Sequence, residues 1–318
     1  LKRQGLLSGP AGVALLSLAY VVAMAPSAPG FATAGNLGNI LSVFLPLLVA
    51  SLGQTVVLLT GGIDLSATGV IALASVAGAH LMTHDHGVLP GNVAAGVAAM
   101  LGVGLAVGVV NGLAVARLRM PPFLATLAVM TFASGLAMWA TGARGIGDLP
   151  ASFRGLGGAA AGSVPVSFFV AVPVALLADF VLRRTAAGRW LYAVGQDAAA
   201  ARVSGVPVER VLLLSYATSG LCAAVASVLF TARVETGSPI LGQRLFLDVV
   251  GGAVVGGTSF FGGRGTVLGT VLGVLFLSLV DNSLYLLGRS SYAILAVKGG
   301  VVLAAAMVDA ARERVLGR

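Results

Sequence analysis

Charge is what this sequence has least of. Asp, Glu, Lys and Arg together make up 9% of its 318 residues, too few to clothe a water-soluble globule of that size. With 58% hydrophobic residues the chain is not intrinsically disordered either. Lysine is confined to Lys2 and Lys298. Neither stands in the Gly-x-x-x-x-Gly-Lys-Ser/Thr loop that cradles nucleotide phosphates, so an ATP-hydrolysing site of that type is excluded. The single cysteine, Cys222, forbids an internal disulfide and lies in an apolar run, where it reads as a small buried hydrophobe. No serine, cysteine or carboxylate pair stands near a histidine in a catalytic arrangement, and no catalytic residue is expected. His80, His84 and His86 gather with Asp85, which is ligand-type chemistry for zinc or copper. They fall at a predicted membrane interface where polar residues belong anyway, and no metal is expected.

What the chain does have is apolar length. Its mean hydropathy is +1.00, and a bilayer-spanning helix needs roughly 20 apolar residues. The pattern predicts an all-α polytopic membrane protein, a single transmembrane domain over 1–318. About ten helices are expected, at 8–25, 39–60, 66–83, 92–116, 122–141, 164–182, 211–232, 245–261, 266–287 and 291–309. The stretch Ser8 to Ala25 reads as a first span, not a signal peptide, because the segments after it are equally apolar. Either 61–83 or 245–273 could instead be re-entrant, leaving eight or nine crossings.

The net charge of +8 would suggest nucleic acid in a soluble domain, but in a membrane protein basic residues collect in cytoplasmic loops. No nucleic-acid partner is expected. With both termini inside, the cytoplasmic segments hold Lys2, Arg3, Arg117, Arg119, Arg183, Arg184, Arg189, Arg202, Arg210, Arg264, Arg312, Arg314 and Arg318. The opposite side holds only Arg144, Arg154, Arg233, Arg244 and Arg289. The outer connection Thr141–Ser163 is rich in glycine and alanine and reads as mobile. The inner connection 183–210 is polar and alanine-rich enough for a short helix outside the membrane, ended by Ser204-Gly205-Val206-Pro207.

Glycine spacing adds packing information. Gly104, Gly108 and Gly112 recur every fourth residue, as do Gly265, Gly269 and Gly273, and each set predicts a smooth helix face that lets a neighbour approach closely. The run Gly262-Gly263-Arg264-Gly265 reads as a tight inner turn. Charges within the apolar runs are Asp64, Asp248, Asp281 and Lys298, each costing roughly 2.5–3.5 kcal/mol to insert. In Gly61-Gly62-Ile63-Asp64-Leu65-Ser66 two glycines break a helix, and Asp64 or Ser66 can cap the next one. This is either a gating element or an ordinary capped turn at the inner surface. For Asp281 and Lys298, a hairpin centred near Gly288 brings the two to depths differing by roughly 4.5 Å, close enough to pair. The alternative is that Lys298 snorkels towards headgroups while Asp281 sits at the wet outer end.

These residues together resemble a known family. Gly61-Gly62-Ile63-Asp64-Leu65-Ser66 is similar to a signature of the ribose-type permeases of bacterial ABC importers. So are Gly188-Arg189, Tyr192-Ala193, Gly195, Ala199-Ala200, Arg202 and Ser204-Gly205 in the inner segment. Further matches are Leu247-Asp248, Gly256-Gly257-Thr258-Ser259, Gly262-Gly263, Gly265, Gly269-Thr270, Ser290-Ser291-Tyr292 and Lys298. The chain departs from the family at Asp197-Ala198-Ala199-Ala200, at Ala67-Thr68-Gly69 and at Phe246. The resemblance implies the ABC importer permease fold and a multi-pass subunit of the bacterial inner membrane that translocates a ribose-like monosaccharide through the lipid bilayer. It implies no cofactor on this chain. ATP and Mg belong on a partner ABC ATPase, and a periplasmic solute-binding protein and a second permease copy or paralogue complete the assembly. It further assigns 183–210 as the ATPase-coupling loop through Ala199, Ala200, Arg202, Ser204 and Gly205. Translocation or gating falls to Gly61, Gly62, Asp64, Ser66, Asp248, Asp281 and Lys298. Within the class, the solute could instead be a nucleoside, inositol, a signalling sugar or a branched-chain amino acid. From another class, an ion-coupled secondary transporter would use Asp64, Asp248 or Asp281 as its ion sites.

Overall fold

Apolar runs interrupted by glycine pairs give a bundle of long helices and shorter ones. The computed structural model describes residues 9–161 and 164–315. Lys2, Arg3 and Arg318, on which part of the expected orientation of the termini rests, lie outside the described residues. Helices run in the order α1 Pro10–Ser27, α2 Ala34–Leu59, α3 Ala67–Met82, α4 Val93–Ala116, α5 Pro122–Thr141, α6 Ala151–Arg154 and α7 Phe168–Arg184. They continue as α8 Ala186–Gln196, α9 Ala198–Val203, α10 Val208–Val234, α11 Phe246–Val255, α12 Val267–Leu286 and α13 Ser291–Val315. A minimal hairpin, β1 Ala159–Ala161 with β2 Val164–Pro165, is the sole sheet among the described residues.

Seven of these helices are long and apolar enough to cross a membrane: α1, α2, α4, α5, α10, α12 and α13. The expectation of about ten spanning helices is therefore met only in its coarser form, a polytopic helical protein. The segment expected at 66–83 is a 16-residue helix, about 24 Å long. The one expected at 245–261 is cut to 10 residues, about 15 Å, because Gly256 and Gly257 turn the chain, Gly257 at φ +91°. Helix α7 has 17 residues and ends on Arg183 and Arg184.

Among the seven long helices the most enclosed is α2, whose residues from Phe44 to Thr55 are all buried among α7, α10, α11 and α12. Polar side chains tie the bundle internally, as lipid-embedded helices require. Thr55 and Thr270 share a hydrogen bond of 2.7 Å, Thr231 donates to Ser75 at 2.7 Å, and Asn36 and Asn282 exchange amide bonds of 2.8 and 2.9 Å. Large apolar side chains point outward instead, including Leu18 and Val22 on α1, Phe132 and Trp139 on α5, and Leu176 and Phe180 on α7. An inside-out surface of this kind suits a lipid environment.

The first glycine stripe does what its spacing predicts. A Cβ at Gly104 would run into Gly220 and Ala224, one at Gly108 into the Tyr216 and Ala217 backbone, and one at Gly112 into Leu213. Helices α4 and α10 thus touch backbone to backbone. The second stripe needs correction. Gly269 and Gly273 face Gly256 and Gly252 of α11, but Gly265 lies outside the helix, because Thr266 caps α12 by accepting from the Gly269 N–H. The connection from Thr141 is also more ordered than its composition suggests. Leu149 and Phe153 are fully enclosed, and Ile146 and Gly237 exchange backbone bonds of 2.8 and 2.9 Å.

Gly108→Leu is expected to lower the thermal midpoint of the detergent-purified protein sharply, since overpacking costs about 1–3 kcal/mol and the obstacles here are backbone atoms. Gly102→Ala, where a Cβ meets nothing within 4 Å, should leave the midpoint unchanged or raise it. Equal behaviour of the two variants would show that the α4–α10 contact is not tight.

Candidate functional site

Two broken segments and one connecting element meet at the end of the bundle that carries α8 and α9. Helix α2 stops at Leu59, Gly61 turns the chain at φ +78°, and α3 restarts at Ala67. Ser66 is the N-cap residue of α3 but its side chain caps no helical N–H; Asp64 braces the turn ahead of it, its Oδ1 accepting from the Ser66 N–H at 2.9 Å and from the Ser66 hydroxyl at 2.6 Å. Asn111 on α4 donates to that hydroxyl at 2.7 Å. The Gln54 amide, turned nitrogen towards the Asp64 carbonyl, donates to it at 2.9 Å and accepts from the Asp64 N–H at 3.3 Å. Asp64 and Ser66 are each 1% exposed, so neutral protein donors replace water around this break. Gly62 is required for space: a Cβ there would strike the Tyr216 hydroxyl.

The second break, between α11 and α12, is the tight turn expected at Gly262-Gly263-Arg264-Gly265. Gly262 and Gly263 adopt φ +85° and +69°, and the Ser259 N–H bonds the Arg264 carbonyl at 2.9 Å. The two breaks are joined directly, since the Gly263 N–H donates to the Leu59 carbonyl at 2.9 Å. Asp309 near the end of α13 clamps the same turn, its Oδ2 accepting from the Ser259 hydroxyl at 2.8 Å and from the Phe260 N–H at 3.2 Å. Its Oδ1 stands 3.6 Å from the Arg264 guanidinium.

Between α7 and α10 the expected single helix is two, bent at Asp197. The Asp197 carboxylate caps α9 through the Ala199 and Ala200 N–H groups at 2.8 and 3.0 Å. Gly205, at φ +83°, ends α9, with the Gly205 N–H on the Arg202 carbonyl and the Val206 N–H on the Ala201 carbonyl, both at 3.0 Å. That is the glycine-terminated stop anticipated from Ser204-Gly205-Val206-Pro207. Ala199, Ala200, Arg202, Ser204 and Gly205 are all exposed, and Val203 between them is 91% exposed. Helix α8 faces the other way. Its Gly195 lies against the Leu59 and Gly263 backbone, where any Cβ would collide. The Tyr192 hydroxyl donates to the Gly265 carbonyl at 2.9 Å, and burial holds that phenol above the usual tyrosine range, so it stays a donor. Tyr192 and Gly195 are thus the contacts that join the connecting element to both breaks. Their contact role was not legible from spacing.

At the opposite end, the expected Asp281–Lys298 pair exists and is part of a larger cluster. Lys298 Nζ lies 2.8 Å from Asp281 Oδ1, and 2.8 and 3.0 Å from the two carboxylate oxygens of Asp248. Its side chain is 9% exposed, that of Asp248 12% and that of Asp281 47%. Asp248 is therefore the buried partner, supplied by α11, and Asp281 the half-wet one. The snorkelling alternative is ruled out by this geometry. The four titratable positions singled out in the sequence fall at two places: Asp64 at the α8–α9 end, and Asp248, Asp281 and Lys298 together at the other.

The chain's residues 36–306 match the family model described as the permease component of branched-chain amino acid transport systems. It is similar to the ribose import permease protein RbsC of Escherichia coli K12, 36% identical over 301 residues, 93% of this chain and 92% of the relative. The RbsC of Bacillus subtilis is 36% identical over 289 residues, 88% of this chain and 86% of the relative. The D-allose transport system permease protein AlsC of E. coli K12 is 32% identical over 282 residues, 88% and 84%. No solved structure matches the chain.

Lys298→Met strands the buried Asp248 carboxylate and should lower stability by about 3–5 kcal/mol. Adding Asp248→Asn should recover more of that loss than adding Asp281→Asn, because Asp281 can turn to water. Thermal melts of the two double-mutant cycles check this. Additive losses in the Asp248 cycle would mean that the cluster is not a coupled unit.

Proposed function

The chain belongs to the permease-component family of branched-chain amino acid transport systems, and we propose that within it this protein is the transmembrane subunit of an ATP-driven importer of a ribose-like monosaccharide. The observation that carries the substrate class is the near full-length similarity to ribose and allose permeases. ATP hydrolysis takes place on a separate ATPase subunit. A solute-binding protein delivers the sugar, and a second permease copy or a paralogue completes the translocation path. The α8–α9 end, with Arg117, Arg119, Arg183, Arg184, Arg189, Arg202, Arg210 and Arg264, is cytoplasmic by the excess of arginine there. The shorter helices α3, α7 and α11, added to the seven long ones, bring the helices in the membrane to ten.

In this reading the exposed side of α9, with Ala199, Ala200, Arg202, Ser204 and Gly205, docks the ATPase. Helix α8 carries the resulting displacement to the breaks through Tyr192 and Gly195. Gly61, Gly62, Asp64 and Ser66 form a hinge: a turn that neutral donors hold without a helix can change its angle without exposing backbone to lipid. Asp248, Asp281 and Lys298 belong to the translocation machinery at the far side. An ion-coupled transporter is disfavoured by the cluster itself, since Asp248, one of its candidate ion sites, already carries its counter-ion on Lys298.

The direct test is reconstitution of the permease with its ATPase and binding protein in proteoliposomes. Radiolabelled D-ribose or D-allose should accumulate only with ATP inside the ATPase-facing compartment. Flux without the ATPase would defeat the importer reading, and a binding protein that holds a nucleoside or amino acid would change the substrate class.

Gly205 offers a sharper test of the docking face. A Cβ there meets nothing within 4 Å, but the residue sits at φ +83°, so any loss comes from the backbone. Gly205→Val should reduce ATPase co-purification and uptake severalfold at normal membrane insertion, with Gly205→Asn intermediate, since asparagine tolerates this conformation. Full ATPase retention in the valine variant would remove α9 from the coupling role.

A further inference from the structure

We propose that the break between α2 and α3 holds a resident alkali-metal cation, ligated by the Asp64 carboxylate together with Asn111, Tyr216 and Ser219. The site does not depend on which solute the protein carries.

The Asp64 main chain is paired with the Gln54 amide, and its Oδ1 with Ser66. Oδ2 is left, buried and without a hydrogen-bond partner among the described residues. Three further buried oxygens share that condition: Asn111 Oδ1, the Tyr216 hydroxyl and the Ser219 hydroxyl. All four belong to residues no more than 1% exposed. Separate contacts bring them to one place. The Asn111 amide nitrogen is fixed on the Ser66 hydroxyl at 2.7 Å, the same hydroxyl that donates to Asp64. The Tyr216 hydroxyl faces the Gly62–Ile63 main chain. Ser219, one turn further along α10, stands beside the Asp64 carboxylate.

Charge decides what completes this set. No cationic side chain among the described residues pairs with Asp64, whereas the buried Asp248 has Lys298. The N-terminus of α3 offers only a partial positive charge, and an uncompensated carboxylate inside a membrane protein is expensive. A water would complete the hydrogen bonds but leave the charge. A proton on Asp64 would remove the charge but can be given to only one of the other oxygens. A metal cation serves both needs, since a carboxylate, an amide oxygen and two hydroxyls are the ligand type that hard cations take. One carboxylate matches one positive charge, which selects an alkali-metal ion over calcium or magnesium. Enclosed as it is, the ion exchanges only when the Gly61–Ser66 turn opens, so it holds that turn and is not carried with the solute.

The test uses the purified full chain in detergent after dialysis into choline chloride, with sodium, potassium and choline chlorides as probes at one ionic strength. The thermal midpoint is expected to rise with sodium or potassium and to saturate, while choline has no effect. Ser219→Ala and Tyr216→Phe remove hydroxyls that make no hydrogen bond in the protein. Each is expected to raise the half-saturating concentration about tenfold, the scale for losing a group that supports a bound metal. Asp64→Asn should abolish the dependence, and the two hydroxyl variants carry the test if that protein does not fold. Elemental analysis of the dialysed chain covers an ion too tightly held to exchange. Metal retained by the wild type and lost from the variants supports the site. Equal midpoints in all three salts with no metal retained overturn it in favour of water or a proton. A cation dependence, or a retained metal, that is unchanged in both hydroxyl variants also overturns it, by placing the ion elsewhere.

Discussion

Buried backbone must be paired, and this one constraint organises the α8–α9 end of the molecule. Two helices are interrupted there, after Leu59 and after Val255, and each interruption frees carbonyl and N–H groups that the helix no longer satisfies. The protein answers by docking the breaks on each other, through Gly263 N–H on the Leu59 carbonyl, and by sealing the junction with Gly195 of α8. Glycine at positions 195 and 262 is a consequence. Backbones that must replace water for one another have to touch, and a Cβ on Gly195 or Gly262 would hold them apart. The Asp64 carboxylate and the Gln54 amide finish the same task on the α3 side.

How much of this the sequence revealed depended on whether the signal was local. A helix stripe such as Gly104, Gly108 and Gly112 carries its meaning in its own period, and the structure places it against α10 as expected. Hairpin arithmetic was local enough to pair Asp281 with Lys298, which are separated by one short turn. Asp248 comes from a different helix, 50 residues from Lys298, and no spacing rule links them. Asp309 was hidden for the same reason, 50 residues from Ser259. Span counting is confirmed only for the seven long helices, because hydropathy and helix length part company elsewhere. The run 245–261 is apolar apart from Asp248, Thr258 and Ser259, yet Gly256-Gly257 ends α11 at Val255, and hydropathy alone does not register such a turn. Phe153 escaped because one enclosed aromatic among glycines and alanines gives no periodicity.

Helix α13 connects what would otherwise be two independent sites. Lys298 fastens it to α11 and α12, while Asp309, about three turns further along, fastens it to the Ser259–Arg264 turn. The same turn region receives Tyr192 of α8 on the Gly265 carbonyl. Helix α13 is thereby held at two depths by side chains of opposite sign, Lys298 and Asp309. At the first, the buried Lys298–Asp248 pair neutralises itself and leaves the third member, Asp281, half exposed. Removing the lysine would leave Asp248 without a counter-ion where neither water nor lipid can supply one, which is why a charge on α13 has to be matched by one on α11.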